Sequence, residues 1–133
     1  MDLDELKDCS YKPSKTTREQ KELLLKDLCV RLPYGVKLLH TPTNEITNLE
    51  MIGNDVIDGN IHDLIENFKP YLFPLSNITK EQWKECQSLM IKDSYGILYY
   101  TIESYDYLYK NHIDIRGLIP MGLANDATGL NIY

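Results

Sequence analysis

The densest group of side chains able to do chemistry is His112-Ile113-Asp114-Ile115-Arg116-Gly117. On an extended backbone alternate side chains share a face, so His112, Asp114 and Arg116 would project together. A carboxylate beside an imidazole tunes it for acid–base work, and a neighbouring guanidinium can grip a phosphate or carboxylate. A helix C-terminus gives a plainer account of the same residues. His112 then complements the dipole, and Asp114–Arg116 is a surface or loop-anchoring pair. The plainer account is preferred, because an isolated charged triplet without a partner motif is usually structural.

The second concentration is aromatic. The chain has ten tyrosines, and Tyr95, Tyr99, Tyr100, Tyr105, Tyr107 and Tyr109 fall within one short stretch. In a basic protein such a cluster could be a stacking platform for single-stranded nucleic acid. Here only Lys92, Lys110 and Arg116 lie nearby. An aromatic patch for a protein partner fits better, since Tyr offers large contact area at low entropic cost. The competing account is that half of these rings fill the core with their hydroxyls at its rim. The candidate binding surface is Tyr99, Tyr105, Tyr109, His112, Asp114 and Arg116.

Other reactive residues are scattered. Cys29 and Cys86 fall on apolar helical faces, away from any base that would lower a thiol pKa, and read as small core residues. Cys9 has no neighbouring base in sequence. His40, His62 and His112 lack a His or Cys partner at ligand spacing, so no metal site is expected. Asn54, Asp55, Asp58 and Asn60 lack the spacing and the terminal bidentate Glu of a calcium loop, and read as turns. GLIPMG at 117–122 lacks the Lys and Ser/Thr of a phosphate cradle. Gly117, Gly122 and Gly129 read as turn and C-cap residues. No catalytic residue and no cofactor is expected.

The elements that must position these groups follow from the rest of the chain. Its 133 residues carry a formal net charge of −6. An acidic chain is repelled by phosphate backbones and anionic membranes. The imbalance lies in residues 34–133, while residues 1–33 are neutral and hold a short basic stretch, Lys12, Lys15, Arg18 and Lys21. The three cysteines are an odd, widely spaced set, not a disulfide framework. Apolar runs are too short to span a bilayer and no signal-peptide pattern opens the chain, so a cytoplasmic protein is expected.

Residues 1–17 read as a mobile arm, with a helical turn at Leu3–Lys7, ahead of a single domain over 18–133. Helix 18–31 is set by Leu24, Leu25, Leu28, Cys29 and Leu32 and stopped by Pro33. Thr16 or Thr17 supplies its capping box. Short strands are predicted at 36–40, at Ile46–Ile52 and at Val56–Asp58, with a hairpin turn at Gly53–Asp55. Residues 61–67 stay ambiguous: Ile61, Leu64, Ile65 and Phe68 fit a helical turn, yet the segment is short. Pro70 and Pro74 restrict 69–75 to an edge strand. Together 34–75 forms a small, mostly antiparallel sheet or an SH3-like barrel. Thr79 and Gln82 make a capping box for a second helix, with Ile78 and Trp83 as its hydrophobic staple. Ile97–Ile102 reads as a strand covered on both faces. Ser104 caps a third helix, and residues 113–133 are too apolar to hang free. The fold class is α+β: an N-terminal helix, the small sheet, two further helices flanking the Tyr-rich strand, and a packed tail.

Three stretches carry a resemblance: LLLKDLCVRLPYGVK at 23–37, KPYLFPLSNITKEQ at 69–82 and NHIDIRGLIPMGLANDATGLNIY at 111–133. The chain resembles a family of small uncharacterised proteins encoded by Bacteroidetes and by their phages and prophages. The likeness runs from about residue 19 onward with a variable middle at 40–68, and residues 1–18 look like an extension. It implies a cytoplasmic setting in a gut-type bacterium or its phage and carries over no site residues. The expected function is a non-enzymatic interaction or regulatory protein with a protein partner, a homo-oligomer being open. The alternatives are a small-molecule or nucleotide binder of the anti-defence type, using Arg116 and tyrosine stacking, and a minor nucleic-acid accessory using Lys12–Lys21.

Overall fold

The computed structural model describes residues 17–133. Cys9, Lys12, Lys15, Thr16 and the turn expected at Leu3–Lys7 lie outside the described residues. The first helix, α1, runs Thr17–Arg31. Its buried stripe is Leu24, Asp27, Leu28 and Arg31. This departs from the expected apolar face: Cys29 is exposed, not a core residue, and so is Leu32. The stripe is rotated toward 27 and 31 because these two charges neutralise each other inside. Pro33 turns the chain into a 3-10 segment, Leu32–Tyr34, closed by Gly35 at φ 70°. Glycine takes that left-handed conformation without steric cost.

Two strands follow, β1 (Lys37–His40) and β2 (Glu45–Asn48). The stretch expected as one strand from Ile46 to Ile52 is two. Pairing with β1 ends where the Leu49 amide bonds the Val36 carbonyl at 3.0 Å and the Leu49 side chain buries. β3 (Met51–Ile52), β4 (Val56–Asp58) and β5 (Asp63–Leu64) then form a separate antiparallel sheet in that order. The expected hairpin turn closes with Gly53 N–H bonded to the Val56 carbonyl at 2.9 Å. A 3-10 turn at Ile65–Asn67 leads into β6 (Phe68–Pro74). Helix α2 covers Lys80–Ser88, and its Thr79–Gln82 capping box forms as expected. The hairpin β7 (Ile91–Lys92) and β8 (Leu98–Tyr99) turns around Asp93. Asp93 accepts the amides of Tyr95 and Ile97, both at 2.9 Å. Helix α3 is Ile102–Lys110, followed by β9 (Ile113–Asp114) and β10 (Asn125–Asp126).

Three sequence expectations are corrected. Ser104 is not the cap of α3. Thr101 is, with Ser104 as its buried capping-box partner, because Thr101 holds the extended backbone a cap requires. Only Leu98–Tyr99 of the expected Ile97–Ile102 strand is strand, and nothing covers its outer face, leaving Ile97, Tyr99, Tyr100 and Ile102 exposed. Strand β6 is central, not an edge. It pairs antiparallel with β1 on one side and parallel with β10 and then β9 on the other. The two prolines are tolerated because each stands at a ladder end: Pro70 opposite Leu38, and Pro74 opposite Asp114.

The fold is α+β, and the expected barrel over 34–75 does not close, since its strands divide between two sheets. The larger core gathers Leu24, Leu28, Val36, Leu38, Ile57, Ile65, Phe68, Leu72 and Leu118 between α1 and the main sheet. A smaller one joins α2, α3 and β9 through Cys86, Leu108 and Ile113, with Ile78 and Trp83 packed against it. The tail packs as its composition demands. Tyr133 accepts the Lys37 amide at 2.8 Å and donates to the Tyr71 carbonyl at 2.7 Å.

Candidate functional site

A charged network lies inside the α1–α3 junction. Asp27 and Arg31, one turn apart on α1, are both 0% exposed. Arg31 Nε donates to Asp27 Oδ2 at 2.6 Å, and its Nη2 to the Ile113 carbonyl at 2.7 Å. The same guanidinium carbon sits 4.9 Å from the centroid of the Tyr109 ring, a cation–π contact. Arg116 Nε donates to Asp27 Oδ1 at 3.2 Å and its Nη2 to the Tyr109 hydroxyl at 3.3 Å. One buried carboxylate thus serves two guanidinium groups. Arg31 Nη1 is buried with no hydrogen-bond partner among the described residues.

Above this network is a cleft of about 590 Å³ between α1 and α3. Cys29, Val30 and Pro33 form one wall; Ile102, Tyr105 and Tyr109 form the other; Ile115 and Arg116 lie on the floor. Asp106 stands at the rim and accepts the Tyr34 hydroxyl, a bond that pushes the Tyr34 pKa above its ordinary value. The chemistry on offer is apolar contact, two phenol rings, one guanidinium, the Cys29 thiol and the Asp106 carboxylate.

Of the six residues singled out in the sequence, Tyr105, Tyr109 and Arg116 meet in this cleft. Tyr99 lies on the outer face of the β7–β8 hairpin, directly across from Ile91. His112 and Asp114 go elsewhere, so the common face that an extended backbone would give does not form. His112 adopts φ 61°, which breaks the alternation at its start. Its ring stacks on Tyr133 at 3.7 Å between centroids and 14° between planes. Burial, followed by the charges of Arg31 and Lys37, pushes its pKa down to about 4. Among the described residues its buried Nδ1 has no hydrogen-bond partner, and as a neutral ring it does not serve the α3 dipole as a cation. Asp114 is buried and accepts the amides of Leu118 and Ile119 at 2.8 and 2.9 Å, fixing the turn after β9. The expected Asp114–Arg116 pair is replaced by Arg116–Asp27.

Asp27 and Arg31 escaped the sequence reading, although a signal was there. Positions 24, 27, 28 and 31 make a helical stripe as good as any, and two of them are oppositely charged at i, i+4. A second polar cluster left no such trace. His40 Nε2 lies 2.7 Å from Asp63 Oδ2 and its Nδ1 lies 2.7 Å from Thr43 Oγ1, with the ring 5.0 Å from that of Phe68. The bond from His40 holds the Asp63 carboxyl below its usual range. This cluster clamps the β1–β2 turn to the second sheet. In the basic stretch, Arg18 pairs with Glu22 and Lys21 with Glu66.

No family model, no curated protein and no solved structure matches the chain. Among the described residues no helix is long and apolar enough to cross a membrane.

Proposed function

We propose that this chain is a non-enzymatic interaction protein that recognises a protein partner through the surface between Tyr99 and Tyr109, with Arg116 at its margin. The observation that carries this reading is the uncovered apolar face of the β7–β8 hairpin and the first turn of α3. Ile91 and Tyr99 are cross-strand neighbours and Ile97 shares their face by alternation. Ile91 is 62% exposed and Ile102 84%. A two-stranded hairpin is marginal in water by itself, and contiguous exposed apolar surface marks contact sites. A second copy of the chain could meet the same face. The nucleic-acid reading has less support, since Arg18 and Lys21 are paired and the net charge is −6. A cytoplasmic role in phage–host or mobile-element biology belongs to the same proposal and rests on the sequence resemblance alone.

Affinity capture from the native host tests this, with Ile91→Lys and Ile97→Lys against a control change, Leu64→Ser, at an exposed position on β5 in another sheet. A partner, or a second copy seen by sedimentation, is lost from both lysine variants and kept by the control. Equal recovery by all forms sinks the reading.

A further inference from the structure

We infer that the α1–α3 cleft binds a small organic monocarboxylate with an apolar body, and that Arg116 is the group that anchors its carboxylate. This goes beyond the reading of the hairpin as a partner surface and does not rest on it. The cleft, at about 590 Å³, falls within the roughly 300–1,000 Å³ of ordinary small-molecule sites. Its walls are apolar and aromatic, and Arg116 is the cation on its floor. Among the described residues Arg116 donates to two partners, Asp27 and Tyr109, and its side chain remains 27% exposed. N–H groups on Nη1 and Nη2 are left over, and a guanidinium edge matches a carboxylate in a two-bond contact.

Charge decides which ligand fits. Arg116 shares the single carboxylate of Asp27 with Arg31, so that contact meets only part of its charge. An entering carboxylate meets the N–H groups that Arg116 keeps open toward the cleft. A second negative charge is opposed by Asp106 at the rim and by the net charge of −6. Both weigh against nucleotides and other polyanions. The tyrosines on one wall and Val30 and Pro33 on the other favour a flat or branched apolar body.

The exposed Cys29 thiol on the wall provides a readout inside the site. The experiment uses the full chain with Cys9→Ser, so that alkylation reports on Cys29 while Cys86 stays buried. The probes are 2-naphthoate, 3-phenylpropionate, 2-naphthamide, ADP and a short peptide ending in a free leucine carboxylate. Calorimetric titration is expected to show binding of at least one of the two small acids, with slowed Cys29 alkylation. Naphthamide, which keeps the shape and loses the charge, should bind about tenfold or more weakly, as should both acids to Arg116→Gln. Ile102→Asp puts a like charge at the mouth from a position 84% exposed, so it spares the fold and should also abolish binding. Ile97→Lys, outside the cleft, should leave acid binding intact even if it removes a protein partner. The inference is overturned if neither acid binds, if the amide binds equally, if Cys29 is not protected, or if only ADP or the peptide binds.

Discussion

Asp27 holds two guanidinium groups from a position closed to water, and that arrangement sets the cost of disturbing it. Asp27→Asn leaves Arg31 and Arg116 facing each other with no counter-charge, and should destabilise the protein by about 3–5 kcal/mol. Arg31→Met should cost less, because Asp27 then keeps Arg116 and the new side chain fills the space. Urea unfolding of the two variants gives the order, and equal losses would contradict it. His112 gives a pH-dependent test. In the fold its pKa sits near 4, while in the unfolded chain it titrates at its ordinary 6.5. As pH falls below 6.5 the unfolded chain takes up a proton that the native state refuses. The stability from the neutral, stacked ring is therefore full above 6.5 and drains away toward 4. Asn tolerates the left-handed backbone at this position. The stability gap between the native protein and His112→Asn should narrow from pH 7 to pH 4, and an unchanged gap would refute the assignment. The charges of this region were legible in the sequence, but their partners were not. Arg116 reaches back to Asp27 on another element, and nothing in HIDIRG says so.

Helices α2 and α3 begin with the same device, and the difference between them is testable. Thr79 bonds within its own capping box, so Thr79→Ala should cost about 1 kcal/mol. The Thr101 hydroxyl caps α3 and also donates to the Leu89 carbonyl at 2.5 Å, tying α3 to the end of α2. Thr101→Ala should therefore cost more than Thr79→Ala in thermal unfolding, and the reverse order would argue against the tie. The α2 cap was legible because every part of it lies within a few residues. The α3 cap was misplaced because Thr101 and Ser104 both carry hydroxyls, and backbone angle, invisible in sequence, decides between them. At β6 the prolines are compatible with a central strand because a ladder has ends where a donor is not required. At Ile97–Ile102 the strand-forming residue types carry no information about a covering layer. Their side chains in fact face outward.

At the scale of the whole molecule the α+β class was legible, since the helical stripes and the short alternating runs are local patterns. The sheet order was not, because β9 and β10 are two-residue strands whose pairing with β6 depends on the packed tail. Tyr133 shows how the tail is fastened. Its hydroxyl joins the Lys37 amide to the Tyr71 carbonyl, its ring packs on His112 and Phe73, and burial pushes its pKa up to about 12. Tyr133→Phe keeps the ring and abandons both backbone groups, so it should cost about 1–3 kcal/mol, read from the thermal midpoint. An unchanged midpoint would mean that the ring alone holds the tail.

The position of β6 has a further consequence during synthesis. Phe68–Pro74 leaves the ribosome well before residues 113–126, which must line its second side. A nascent chain of that length presents an apolar strand with one row of backbone groups open, the form in which strands recruit one another between molecules. Translation arrested in that interval would yield a polypeptide that clumps or occupies a chaperone, while the same strand in the finished molecule is closed on both sides.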